Sequence, residues 1–253
     1  MKNLISILII IILLVSSCKD ESTQPLEIQN KNLLHKTYSN PNTNTYTEYF
    51  YDASDKLIMI ESFYNGNLER RSEYEYNDNQ YIIKENTFIT YPGVPEYSYN
   101  LNEYDEQGFL SNTFTYLKMF DSTYELRSNT KYEYDVNKRL IKSSIFNTDS
   151  VEVKYTLFNY DENGNVVETN FYQNGSLSFN DKYEYDNMNN PLRQVTALFS
   201  VYTISKNNVI KHSQINYMMG NDFSTTAYTY QYNKYGYPIS CSYDSQKYYF
   251  DYY

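Results

Sequence analysis

A tyrosine followed directly by an aspartate or an asparagine recurs along most of the chain. The recurring tyrosines are Tyr51, Tyr76, Tyr104, Tyr134, Tyr160, Tyr185 and Tyr232. Up to Tyr185 the steps between copies are 25, 28, 30, 26 and 25 residues, and in most copies an aromatic residue stands two positions earlier. Alternation with a period of two is typical of β-strands, and a regular spacing of this length indicates stacked repeats. The chain is therefore constrained to short β units that recur and pack on their neighbours.

The residues after each tyrosine predict a hairpin turn. Asp105 and Asp161 are each followed three positions later by a glycine, Gly108 or Gly164. An aspartate that opens a turn accepts hydrogen bonds from backbone N–H groups, and glycine adopts the left-handed conformation of a bulged hairpin. The aspartate position is also taken by Asp52, Asp135 and Asp186, and the glycine is replaced by Asn137 and Lys138 or by Asn189 and Asn190.

A second turn closes several of the units. Asn65 with Gly66 and Asn174 with Gly175 are strong signals for two-residue hairpins. We therefore predict an all-β fold: an antiparallel meander of repeated hairpins in a single elongated or curved sheet, solenoid-like, in which each repeat pairs with its neighbours. The sequence leaves open whether the sheet is flat, curled or closed.

Three further expectations complete the fold. The step from Tyr185 to Tyr232 is 47 residues, which predicts a degenerate copy near Tyr202, and residues 249–252 are predicted to form a closing strand. No helix is expected after the N-terminal segment. The 33 tyrosines, with 13 phenylalanines and no tryptophan, favour sheet faces covered by aromatic rings.

The N-terminus resembles the signal peptide of a bacterial lipoprotein. A short basic start precedes an apolar stretch over residues 4–15, and Ser17 and Cys18 end a small-residue cleavage site. The stretch is too short to cross a bilayer comfortably. The resemblance implies cleavage between Ser17 and Cys18 and lipidation of Cys18, with an outer-membrane location. Lys19, Asp20 and Glu21 resemble an export signal for display at the cell surface.

These features divide the chain into three parts. Residues 1–17 form the signal peptide, residues 18–45 the lipidated N-terminus and flexible tether, and residues 46–253 the Tyr-rich repeat domain. Residues 35–45 are expected to be loop. The repeats resemble those of the YD-repeat (Rhs-like) family, with the closest match at residues 158–164. The resemblance covers about residues 46–253 and implies a β-repeat protein like small secreted lipoproteins of uncharacterised function.

Composition argues against several functional classes. The net charge of −10 becomes −11 when Lys2 is removed with the leader, and nucleic-acid binding needs clustered basic residues instead. Cys241 is then the one free thiol and is expected to be a small buried hydrophobe. No cofactor or metal is predicted, because no zinc-like spacing or phosphate loop occurs and the calcium-like run that begins at Asp161 lacks its later glutamate.

Paired carboxylates are the strongest candidates for catalytic residues. Glutamate and aspartate stand two positions apart in Glu103 and Asp105, Glu133 and Asp135, and Glu184 and Asp186. Because the pair recurs while an active site occurs once, a turn-capping aspartate beside a solvent-facing glutamate is the favoured interpretation.

We predict a non-enzymatic, lipid-anchored envelope protein that presents a Tyr-rich surface to a protein or glycan partner. Two alternatives stay open. One is a carbohydrate-active enzyme with carboxylates near the irregular residues 91–95, and the other is an immunity-type partner of a secreted toxin.

Lipidation of Cys18 gives the first testable prediction. Replacing it with alanine, Cys18→Ala, removes the acceptor of the lipid, so we expect the variant to leave the membrane fraction. Membrane fractionation measures this release, and protease treatment of intact cells measures display at the cell surface. If the native protein is protected until the outer membrane is opened, the surface-display interpretation of Lys19, Asp20 and Glu21 is wrong.

Overall fold

The computed structural model describes residues 32–39, 44–90, 96–195 and 200–253. The expectations for Ser17, Cys18, Lys19, Asp20 and Glu21 lie outside these residues and stay predictions. Residues 91–95, which the enzyme alternative singles out, lie outside them as well.

Within the described residues the chain forms seventeen β-strands and very little helix, which confirms the all-β prediction. The strands are β1 (Leu34–Tyr38), β2 (Tyr46–Tyr51), β3 (Leu57–Tyr64), β4 (Asn67–Tyr76), β5 (Ile82–Ile89), β6 (Glu96–Tyr104), β7 (Leu110–Lys118), β8 (Tyr124–Tyr134), β9 (Leu140–Phe146), β10 (Glu152–Tyr160), β11 (Val166–Gln173), β12 (Ser176–Tyr185), β13 (Val209–Asn216), β14 (Asp222–Ala227), β15 (Thr229–Tyr232), β16 (Pro238–Tyr243) and β17 (Gln246–Tyr252). The helical segments are α1 (Val201–Ile204) and the 3₁₀ turns Pro191–Gln194 and Tyr217–Met219. The expectation of no helix is wrong for these short segments.

The repeat hairpins share one register. In the hairpin of β4 and β5, Glu75 lies opposite Lys84 but Tyr76 lies opposite Ile82, so one residue bulges out of β5. The same shift directly precedes the repeat tyrosine in the hairpins of Tyr51, Tyr104, Tyr134, Tyr160 and Tyr232. A left-handed residue before the return strand produces such a bulge. The predicted bulged hairpins are therefore confirmed.

The turns also follow the prediction. Oδ1 of Asp105 accepts hydrogen bonds from the backbone N–H groups of Gln107 and Phe109, both at 2.9 Å. Equivalent bonds converge on Asp52, Asn77, Asp135, Asp161 and Asn233. Of the residues expected to replace glycine in the Asp135 turn, Lys138 is the one with positive φ, at 66°. Both second turns, at Asn65 and Gly66 and at Asn174 and Gly175, have positive φ at both positions.

Strand β1 closes the sheet. It pairs antiparallel with β2 on one side and with β17 on the other, where Thr37 lies opposite Phe250. The prediction of a loop is therefore wrong for residues 35–38, and the repeat domain begins before residue 46. The predicted closing strand at residues 249–252 is confirmed as part of β17. The sequence of β1 is five residues long, contains a histidine and a lysine, and shows no clear strand pattern. Pairing with β2 and β17 therefore determines that this segment is a strand.

One junction interrupts the closed sheet. β14 pairs with β13, whereas β15 pairs with β16, and Tyr228 alone separates β14 from β15. The chain therefore changes pairing partner at Tyr228, whose N–H donates to the carbonyl of Ile210. We call this nearly closed sheet the strand ring.

The long step between Tyr185 and Tyr232 is an insertion within a single turn. Oδ1 of Asp186 accepts hydrogen bonds from the N–H groups of Met188 and Asn208, at 3.0 and 3.1 Å. In an ordinary turn, such as that of Asp105, the two donors stand two and four residues after the acid. The intervening segment contains the Pro191–Gln194 turn and α1. The predicted degenerate strand near Tyr202 is therefore wrong.

Asparagines hold this insertion in place. Asn190 does not replace a turn glycine, which corrects the prediction: it caps the Pro191–Gln194 turn and donates to the carbonyls of Tyr202 and Ser205. Asn189 donates to the carbonyl of Tyr235, in the turn between β15 and β16. Because buried backbone carbonyls need donors, these amides let a non-repeating segment pack at the turn end of the ring.

The repeat tyrosines join each hairpin to the preceding strands. Tyr76 donates its hydroxyl hydrogen to the carbonyl of Leu57, the first residue of β3, at 2.5 Å. The same contact, always to the first residue of a strand, joins Tyr51 to Leu34, Tyr104 to Ile82, Tyr134 to Leu110, Tyr160 to Leu140, Tyr185 to Val166 and Tyr252 to Pro238. Tyr232 donates to Asp186 instead, next to the insertion.

The tyrosine-bearing face points into the strand ring. On this face Leu34, Tyr49, Leu57, Tyr74 and Ile82 form a buried cluster with Val195 of the insertion. Farther from the turns the inner face is polar and includes the buried residues Ser72, Thr87, Thr113 and Asp181. The outer face carries cross-strand ion pairs between Glu75 and Lys84, Glu133 and Lys142, and Glu184 and Lys211.

Removing one hydroxyl should weaken the ring measurably. We expect Tyr160→Phe to lower the free energy of unfolding by about 1 kcal/mol, because the carbonyl of Leu140 loses its donor, which lies 2.9 Å away. Urea denaturation measures the change. Tyr64→Phe is the matched control, since Tyr64 is 58% exposed. Equal effects of the two substitutions would show that the inter-repeat contact does not stabilise the fold.

Candidate functional site

One position in four consecutive turns determines what lies against the next repeat. It stands four residues after the turn acid or asparagine, and its side chain contacts the repeat tyrosine of the following copy. In two copies this side chain is a cation: Nζ of Lys56 lies 4.9 Å from the ring centroid of Tyr76, and the guanidinium of Arg139 lies 5.0 Å from that of Tyr160. These are cation–π contacts.

Between these two copies the same position is aromatic twice in succession. The rings of Tyr81 and Tyr104 stack with centroids 4.7 Å apart, and those of Phe109 and Tyr134 lie 5.1 Å apart. A pocket of about 370 Å³ opens beside these rings. It is lined by Tyr74, Tyr76, Gln80, Tyr81, Ile82, Glu85, Asn102, Tyr104, Gly108, Phe109, Leu110 and Tyr134.

Glu85 lies at the deep end of this pocket. It is three residues along β5 from Ile82, which corresponds to a depth of about 10 Å at the usual strand rise. The residue is only 9% exposed. Its Oε2 accepts a hydrogen bond from Nδ2 of Asn100 at 3.1 Å, and its Oε1 accepts one from Oγ1 of Thr87 at 3.4 Å. The carboxylate is thus held in place by neutral donors.

Tyr74 lies opposite Glu85 in the sheet. It is 7% exposed, and its hydroxyl group makes no hydrogen bond of good geometry among the described residues, although the Ser72 side chain is close enough to lower its pKa. Burial and the nearby Glu85 carboxylate both raise the pKa of Tyr74 above its ordinary value, so the hydroxyl stays protonated. An unsatisfied buried hydroxyl is costly, and a bound molecule could satisfy it.

The other polar groups of the lining are already engaged. The hydroxyls of Tyr76, Tyr104 and Tyr134 donate to backbone carbonyls. Asn102 donates to the carbonyl of Ile82 and accepts from Thr113. The pocket therefore presents aromatic rings, the Glu85 carboxylate and the buried Tyr74 hydroxyl, with Gln80 and the Tyr81 hydroxyl as further polar groups of the lining.

Gly108 has a second role here that its turn signal does not reveal. Its φ is +84°, which the bulged turn requires, and a Cβ at this position would collide with the hydroxyl of Tyr81. Gly164 has φ +87° in the equivalent turn, with open space where its Cβ would be. Gly108 therefore allows Tyr81 to lie across the neighbouring turn and form the pocket mouth.

The structure gives the predicted repeat residues structural roles. The repeat tyrosines bridge neighbouring strands, and the turn aspartates accept backbone hydrogen bonds. Each predicted carboxylate pair separates, because the glutamate points outward while the aspartate closes the turn. Glu103 accepts a hydrogen bond from Asn112, Glu133 lies by Lys142 and Glu184 by Lys211.

His212 and Cys241 lie in different surroundings. Nε2 of His212 lies 2.6 Å from Oδ1 of Asp181, a partner that the sequence does not mark, and the His212 ring stacks on Tyr183. Cys241 is free and buried, as predicted, and burial raises the pKa of its thiol. In the part of the chain that the structure describes, no three His, Cys, Asp or Glu side chains group as metal ligands.

Sequence reasoning missed Tyr74, Tyr81, Glu85 and Phe109 as a group. The available signal was the aromatic residue four positions after Asn77 and Asp105, where other copies carry Lys56 or Arg139. Glu85 shows no signal at all, because it differs from other strand glutamates only in pointing inward.

Comparisons with known proteins identify the fold alone. No family model and no curated protein matches this chain. A porin-like protein from Bacteroides uniformis ATCC 8492 has a similar structure, with a TM-score of 0.57 and 10% identity over 88% of this chain and 97% of its own. A porin-like protein from Bacteroides vulgatus ATCC 8482 gives a TM-score of 0.43 at 10% identity, covering 87% of this chain and 98% of its own.

The complex TcdB2-TccC3 gives a TM-score of 0.29 at 11% identity, covering 85% of this chain and 16% of its own. This score and the second porin-like score are too low to carry an argument. Among the described residues, the helices are all far too short to cross a membrane.

Three of the repeat tyrosines predict that the stability of the protein depends on pH. Burial raises the pKa of Tyr76, Tyr104 and Tyr160 to about 12. The unfolded chain loses these protons near pH 10, so their contribution to stability is complete below about pH 10 and is lost as the pH rises through about 12. We expect urea unfolding to show a clear loss of stability at about pH 11 relative to about pH 9. An unchanged midpoint, with tyrosinate absorbance already complete in the folded protein, would contradict this.

Proposed function

We propose that this chain is a non-enzymatic binding protein of the bacterial envelope, anchored by lipid at Cys18, which holds a small ligand in the pocket above Glu85. The pocket carries the proposal. It is preformed, concave and mostly aromatic, and it contains a buried carboxylate and an unpartnered buried hydroxyl. Sites for small molecules have this composition and a volume of about 300–1,000 Å³.

The envelope location has two supports. The leader resembles a lipoprotein signal peptide, and one solved structure that shares this fold is described as a porin-like protein. At 10% identity this likeness says nothing of the ligand. The chain enters the strand ring at Leu34, sixteen residues after Cys18, which leaves a short tether between lipid and ring.

The lining favours binding over hydrolysis. Glycoside hydrolysis commonly uses two carboxyl groups that flank the scissile bond. Glu85 is the only acidic residue among those that line the pocket. A protein or glycan partner elsewhere on the surface, and the toxin-partner alternative, stay predictions.

A ligand screen with a mouth variant tests the proposal. Ligand-observed NMR on the purified protein from residue 19 onward, against a set of small amines, sugars, acids and aromatic compounds, should yield a binder. We expect Tyr81→Ala to weaken that binder roughly three- to tenfold, because one aromatic contact is lost.

Tyr64→Ala is the matched control, since Tyr64 lies beside the turn at Asn65 and Gly66 and is exposed. The Tyr64→Ala variant should bind the ligand with the same affinity as the native protein. A screen without any binder, or binders that respond equally to both substitutions, would refute the pocket as the functional site.

A further inference from the structure

The charge of the pocket narrows the ligand class, and this argument rests on the proposed function. Glu85 is the only charged residue among those that line the pocket. Its hydrogen-bond partners Asn100 and Thr87 are neutral. A carboxylate in a pocket with low-dielectric walls repels anions and attracts cations.

Arg70 does not neutralise the Glu85 carboxylate on the side that faces the pocket mouth. Its guanidinium Nη2 is 3.9 Å from Oε1 of Glu85, at the limit of an ion pair, and its side chain is 49% exposed. Arg70 precedes Tyr74 by four residues on β4, on the side of the carboxylate away from the pocket mouth. The mouth side of Glu85 therefore faces rings.

The engaged hydroxyls argue against a sugar. A polyol is recognised through many hydrogen bonds, yet Tyr76, Tyr104 and Tyr134 already donate to backbone carbonyls. What these residues offer a ligand is the part of each aromatic ring that lines the pocket. An aromatic lining around a single carboxylate matches the requirements of an organic cation.

The neighbouring repeats show the same chemistry within the chain. In two turns a cation occupies this position: Lys56 lies over Tyr76 and Arg139 over Tyr160. In the two intervening copies Tyr81 and Phe109 take that place. Nζ of Lys138 lies 5.3 Å from the ring centroid of Phe109, but Lys138 is not among the residues that line the pocket. The pocket thus repeats a ring environment that binds cations elsewhere in this protein.

We infer that the pocket binds an organic cation, an ammonium group with apolar substituents, whose charge lies near Glu85 and whose substituents contact Tyr81, Tyr104 and Tyr134. The volume of about 370 Å³ accommodates an ion of the size of choline or phenyltrimethylammonium. The free hydroxyl of Tyr74 would accept or donate to a polar group on the same ligand.

Calorimetric titration with choline tests the inference. Its neutral isostere 3,3-dimethylbutan-1-ol has the same shape without the charge, and glucose represents a polyol. At low ionic strength, where screening is weak, we expect choline to bind at least about tenfold more tightly than the isostere, and glucose not to bind.

Two charge variants separate the local carboxylate from the overall acidity. We expect Glu85→Gln to weaken choline binding about tenfold or more, with the isostere unaffected. Glu103→Gln removes the same charge from the outer face of β6 and should change neither affinity. Circular dichroism and urea unfolding establish that both variants are folded, and Tyr81→Ala provides a pocket variant that leaves Glu85 intact.

The outcomes distinguish this inference from the proposed function. Equal binding of choline and the isostere, or binding of glucose alone, overturns the cation class while the pocket stands as a binding site. If Glu85→Gln leaves the affinity for choline unchanged, the cation class is overturned as well. If no probe binds, the cation inference falls, and the pocket itself falls only if the wider screen yields no ligand that depends on Tyr81.

Discussion

The fold depends on a tyrosine hydroxyl that completes the hydrogen bonding where the strand ladder stops. Between β3 and β4 the last paired residues are Met59 and Glu73, and Leu57 lies two residues beyond them. A buried carbonyl left there would need a donor. Tyr76 supplies it from the adjacent strand, and its ring covers the inner face at the same place. Phenylalanine would cover the surface but leave the carbonyl unpaired, which explains why tyrosine is the repeated residue.

The strands at the chain ends use the same contact. Tyr51 donates to Leu34 in β1, and Tyr252 donates to Pro238 in β16, so the first and last strands are each joined to their sequence neighbours as most repeats are. Pairing of β1 with β17 then leaves no exposed edge at this seam, where an open sheet would invite pairing with other chains. The insertion after Asp186 fills the turn end of the interior, and its asparagines satisfy backbone groups that no strand reaches.

Variation at one repeat position creates the site within an otherwise uniform framework. Lys56 and Arg139 cover the tyrosine of the next repeat with charge, whereas Tyr81 and Phe109 cover it with rings. Two aromatic copies in succession, with Gly108 allowing Tyr81 to approach, produce the pocket. Function in such a repeat protein thus arises where the side chains change while the backbone contacts stay constant.

Local chemistry in the sequence determined the hairpin unit: the turn aspartate, the left-handed residue after it, the bulge and the Asn–Gly turns. These features depend on φ preferences and on hydrogen bonds within a few residues, so a short pattern is enough to predict them. Only the tertiary structure decided the closure by β1, the insertion after Asp186 and the pocket at Glu85. Leu34 and Tyr252 are more than 200 residues apart, and Glu85 is distinguished from the outward glutamates by the face on which the register places it. Contacts between distant residues leave no local pattern, because they are set by which strands become neighbours once the ring has formed.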